Sequence, residues 1–99
     1  MDDVQKVFGR VYEKFRKPDC TGLPYAFGAV NMIVNGRVFE VVIKEYTEGD
    51  TPTEFKVVID GKTLSVFHGE FEFYSNLSSL LVETGLDEAD FIEALEFLA

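Results

Sequence analysis

General acid–base and nucleophilic catalysis need a histidine, thiol or carboxylate held within hydrogen-bond reach of a partner that tunes it. The chain supplies one histidine, His68, and one cysteine, Cys20. Ser65 and Glu70 are the nearest companions in kind for His68, yet neither spacing forms a catalytic motif. A Cys20–His68 dyad requires an early loop to reach the end of a late strand. The expected role of His68 is an ordinary strand-end residue, and no catalytic residue is assigned.

Oxygen-rich turns raise a second kind of chemistry. Glu48 and Asp50 in TEGDTP, and Asp87, Glu88 and Asp90 in LDEAD, are hard-cation ligands by type. A calcium loop needs alternating oxygen donors around a glycine and a closing glutamate, and neither run supplies that series. A solitary thiol cannot build the thiolate cluster of a structural zinc site or close an internal disulfide. The glycines are scattered and form neither a phosphate-cradling loop nor a GxGxxG turn. No metal and no cofactor are expected.

Charge is more informative. Asp and Glu number 18 against 9 Lys and Arg, a formal net charge of −9. Such a surface repels phosphate backbones and anionic lipid, so direct nucleic-acid binding is not expected and a basic protein surface is the favoured partner. The cations cluster early, at Lys6, Arg10, Lys14, Arg16 and Lys17, where ordinary helix solvation is their expected role. Residues 68–99 carry no Lys or Arg but contain Glu70, Glu72, Glu83, Asp87, Glu88, Asp90, Glu93 and Glu96. If the last six line one surface, they steer a basic partner toward it, with Phe97 as an apolar anchor. In a stronger form they imitate the phosphate spacing of a nucleic acid.

The elements that must position these groups follow from hydrophobic period. In residues 2–17, Val4, Val7, Phe8, Val11, Tyr12 and Phe15 recur at spacings of three and four, one stripe of a helix that Pro18 ends. Residues 18–24 read as a loop. Residues 25–34 are apolar enough for a strand but alternate poorly. Asn35-Gly36 is a two-residue hairpin turn leading into Arg37–Tyr46, whose Phe39, Val41 and Ile43 share one side. A polar turn precedes Thr53–Asp60, with Phe55, Val57 and Ile59 on one side, and Asp60-Gly61 turns the chain into Lys62–His68.

From Glu70 the period becomes helical, with Phe73, Leu77, Leu80 and Leu81 on one face up to Thr84-Gly85. Asp87 is a good N-cap for a last helix over residues 88–98. Its packing face carries Phe91, Ile92, Leu95 and Leu98, with Ala94 on the border, while Glu93, Glu96 and Phe97 point away.

The expected architecture is an α+β domain over residues 1–99: a four-stranded antiparallel β-meander packed against an N-terminal helix and two C-terminal helices, in the order α-β-β-β-β-α-α. Val42, Val58 and Tyr46 fall on the sheet face away from the helices, an expected homodimer face, with pairing through an edge strand as the other expected route. Lacking a run of about 18 apolar residues, the chain is expected to stay out of membranes, and its lone cysteine points to the cytoplasm. The favoured function is a small acidic interaction module, an adaptor or inhibitor of a protein target without catalysis of its own. The competing expectation is a ligand-binding or weakly catalytic domain with a pocket between sheet and helices lined by Tyr25, Phe27, Tyr74 and His68.

Overall fold

The apolar stripe of the N-terminal segment does form a helix, α1 (Asp2–Phe15). The computed structural model describes residues 2–15, 25–46 and 49–99. The expected loop with Pro18 and Cys20, the cations Arg16 and Lys17, and the turn residue Glu48 lie outside the described residues. Val4, Val7, Phe8 and Val11 are buried, whereas Phe15, one turn beyond Val11, carries the stripe past the packed layer and is exposed.

Four strands follow: β1 (Tyr25–Val34), β2 (Arg37–Tyr46), β3 (Glu54–Ile59) and β4 (Lys62–His68). They pair antiparallel in the spatial order β1-β2-β3-β4, the expected meander. Each hairpin turn uses positive φ at both central residues, Asn35 (51°) with Gly36 (76°) and Asp60 (52°) with Gly61 (82°). That backbone matches the right-handed twist of the flanking strands.

β1 pairs with β2 along its whole length, from Tyr25 opposite Tyr46 to Val34 opposite Arg37. Its poor alternation has a simple cause. The inward residues Ala26, Gly28, Val30, Met32 and Val34 are buried, but the outward set also contains Tyr25, Phe27, Ala29 and Ile33. Hydropathy cannot tell two apolar faces apart. β4 is less regular: Val57 pairs with Ser65 and Val58 with Thr63, so Leu64 is an extra residue at a β-bulge.

Helices α2 (Glu70–Glu83) and α3 (Glu88–Leu98) complete the layer over the inward face. α2 ends in a Schellman arrangement, with Gly85 at φ 72°, Gly85 N–H donating to Val82 O and Leu86 N–H to Leu81 O. Two residues later Asp87 caps α3, so the closing turn of α2 leads directly into the N-cap of α3.

One core draws residues from all seven elements. Phe73 is its centre on the α2 side: it stacks on Phe55 with centroids 4.5 Å apart and also meets Phe8 and Phe67. On the α3 side Phe91 meets Phe39 edge-on at 5.0 Å. Full burial of each such ring is worth about 1.5–3 kcal/mol. Among the described residues no helix is long and apolar enough to cross a membrane.

Candidate functional site

The acidic residues of the C-terminal third do not form one uniform face. Asp87 is engaged as the N-cap of α3, its Oδ1 accepting from Ala89 N–H at 2.7 Å and from Asp90 N–H at 3.3 Å. Asp90 is half-buried, and its Oδ2 accepts from Asn35 Nδ2 at 2.8 Å. Glu96 turns toward α1 and shares a shallow groove with Lys6 and Arg10. Glu83, at the end of α2, and Glu88 and Glu93 of α3 are exposed.

What the helix does assemble is a stripe. At 3.6 residues per turn, Asp90, Glu93 and Phe97 fall on the same side of α3, turned away from the buried Phe91 and Leu95. Phe97 is 90% exposed. It borders an apolar groove of about 400 Å³ together with Ala94 and Leu98 of α3 and Asn31, Met32 and Ile33 of β1. Ile33 is itself 70% exposed. Phe97 was the expected anchor; Ile33 was not, because Met32, Ile33 and Val34 are all apolar and hydropathy alone does not show which of them points outward.

The second candidate surface is the sheet face opposite the helices. Val42, Val58 and Tyr46 lie there, each half-buried, as expected. Phe27, Val38, Leu64 and Val66 are more exposed than these three and extend the surface across all four strands. The intervening charges balance: Lys44 stands opposite Glu54 in the β2–β3 register, with Glu40 and Lys56 beside them. Lys44 Nζ also lies 4.7 Å from the centre of the Tyr25 ring, a cation–π contact.

The expected pocket between sheet and helices is corrected. Tyr25 and Phe27 are on the open face of β1, their rings 6.1 Å apart. His68 is exposed at the opposite edge of the sheet, where its backbone N–H donates to Glu72 at 2.5 Å. Tyr74 lies on the helical side against Phe8 and Phe73. Strand order separates β1 from β4, and side-chain alternation separates the open face from the core, so these four residues cannot line one hollow. Phe39, Phe55, Phe73 and Phe91 fill the space where it was expected.

Among the described residues, Asp60 and Tyr74 have shifted acidities, and both shifts have structural causes. Asp60 is held below the usual aspartate value, first by the Val38 N–H and then by the Arg37 guanidinium. Tyr74 is pushed up to about 12, first by burial and then by the Glu70 charge. Among the described residues no group of three or more His, Cys, Asp or Glu gathers as a metal site. No family model, curated protein or solved structure matches the chain.

Proposed function

We propose that this chain is a small acidic interaction module that acts by capturing a protein partner with a basic surface, as an adaptor or an inhibitor. The observation that carries this reading is the pairing of Glu93 with Phe97 one helical turn apart, a carboxylate beside a phenyl ring that is 90% exposed. A free aromatic ring at the rim of an apolar groove gains about 1.5–3 kcal/mol when a partner covers it. The carboxylates around it raise the encounter rate with cations and penalise anionic competitors. Glu83 and Glu88 extend the field, while Asp87 and Asp90 contribute charge from their structural posts.

The test is capture of proteins from the native source on immobilised chain, identification by mass spectrometry, and re-measurement with the purified hit. Charge reversal by E88K and E93K is expected to lower affinity at least tenfold while leaving circular dichroism unchanged. Capture that is indifferent to both reversals and to salt would remove the acidic surface from the reading.

The open sheet face favours a second copy of the chain, because its charges balance locally and the net charge of −9 is carried outside the contact. Glu40 and Glu54 of one copy have Lys44 and Lys56 of the other to meet across a two-fold axis. Sedimentation equilibrium is expected to give a dimer in the micromolar range that V42D and V58D dissociate. A monomer throughout that range would reject it.

A further inference from the structure

The two edges of the sheet are built differently, and the difference points to a mode of binding. A free edge presents a row of unpaired N–H and C=O groups, which proteins blunt with short strands, bulges, prolines and lysines. The β4 edge follows that rule: it has seven residues, begins at Lys62 and carries the bulge at Leu64. The β1 edge breaks it. Its ten residues, YAFGAVNMIV, contain no charge and no proline, and its pairing with β2 is regular throughout. Among the described residues no backbone hydrogen bond reaches its outer side.

The groove bordered by Asn31, Met32 and Ile33 runs along this edge and is closed on its far side by Ala94, Phe97 and Leu98 of α3. Backbone donors and acceptors on one wall and apolar side chains on the other are the two requirements of strand addition. Charge sets the occupant. Asp90 and Glu93 stand at the end of the groove nearer the β1–β2 turn, where Asp90 is tied to Asn35. Among the described residues the cation at the other end is Lys14, which is committed to the Leu98 carbonyl at 3.0 Å. Two copies joined edge to edge would bring their acidic α3 helices together, so a second copy is the wrong partner here.

We propose that an extended polypeptide segment adds to the sheet beside β1 as a fifth strand, seating an apolar side chain between Ile33 and Phe97 and a lysine or arginine against Glu93 and Asp90. This rests on the protein-capture reading and goes further in naming what is captured: an unfolded or loop segment of alternating apolar and basic residues, read by backbone pairing as much as by side chains.

The test uses the whole chain and an array of linear peptides of about ten residues, long enough to span the edge, in which apolar positions alternate with Lys, Glu or Ser. Each Lys peptide has a copy with proline at a central position, which cannot donate to a ladder. The Lys series is expected to bind, the Glu series not, and the proline copies to bind at least tenfold more weakly. Bound peptide is expected to slow amide exchange in β1 and to shift NMR signals of residues 31–33 and 94–98. F97A, at a side chain that is 90% exposed and outside the buried core, is expected to cost roughly tenfold in affinity with circular dichroism unchanged.

Failure of the whole Lys series, proline copies that bind equally well, or protection that maps to β4 or the open face would each overturn strand addition. Protection of β1 that grows with chain concentration and needs no peptide would identify a second copy instead and overturn it too. A native partner that still requires Glu93 while no linear peptide binds would sink this proposal and leave charge-steered capture standing. Peptide binding that E93K leaves unchanged would remove both.

Discussion

Asn35 Nδ2 donates to Asp90 Oδ2 at 2.8 Å, tying the β1–β2 turn to the first turn of α3 across 55 residues of sequence. The same side chain accepts a long hydrogen bond, 3.5 Å, from Asp87 N–H. Asn35 therefore serves the hairpin through its positive φ and the helix through its amide. The substitution N35G keeps the backbone freedom and removes the latch, and is expected to lower stability by about 1 kcal/mol. N35D replaces the donor with a charge of the same sign as Asp90 and is expected to cost more at low than at high ionic strength, where the repulsion is screened. Urea denaturation at two salt concentrations checks both, and equal losses at the two would show that charge plays no part.

Asp60 joins the other hairpin to β2. Its Oδ1 accepts from Val38 N–H at 3.0 Å and its Oδ2 meets Arg37 Nε at 3.1 Å. The folded state holds the Asp60 carboxyl below its ordinary value, so its stabilisation is complete above the unfolded pKa and is lost as pH falls through the folded one. D60N tolerates the same positive φ and is expected to flatten the acid limb of the stability profile. The Asp60 carboxyl carbon is expected to titrate below that of a blocked aspartate peptide, and R37Q to return it only part of the way, because the Val38 N–H is the larger cause. A complete return in R37Q would reverse that ranking.

The fold was legible because its signals were redundant. Asn35-Gly36 and Asp60-Gly61 fixed two hairpins, the change of period at Glu70 marked the helices, and Asp87 marked the start of the last one. Phe39, Val41, Ile43, Phe55, Val57 and Ile59 alternate cleanly, so the core face could be read directly. The site was less legible for a physical reason: it joins Ile33 to Phe97, 64 positions apart, and hydropathy does not reveal which residues of a strand with apolar side chains on both faces point outward. The hollow expected around Tyr25, Phe27, Tyr74 and His68 failed because aromatic content is the same whether rings fill a core or line a cavity.

Gly85 turns the backbone between α2 and α3, two residues before the Asp87 cap. Its φ of 72° lies in the left-handed region, and a Cβ there would meet nothing within 4 Å. Strain alone, without a clash, sets the cost of G85A, expected at about 1 kcal/mol. G85N is expected to lose less, since asparagine tolerates this conformation better. Thermal melts of the three proteins decide it, and a loss in G85A several times larger would mean that the turn tolerates no side chain at all.

Tyr74 packs against Phe8 and Phe73 with Glu70 one helical turn before it. Burial pushes its hydroxyl up from 10.0 to about 12, and the Glu70 charge adds in the same direction. A raised folded pKa means that the stabilisation is fully present below pH 10.0 and is lost as pH climbs toward about 12. Y74F, which has no proton to lose, is expected to show a flatter stability profile through that window. In an ultraviolet absorbance titration Tyr74 is expected to ionise later than an unperturbed tyrosine. E70Q is expected to lower its midpoint slightly without returning it to 10.0, since burial is the first cause. A midpoint in E70Q that fell all the way would place the charge of Glu70, and not the packing of α2 against α1, in control of the alkaline limit.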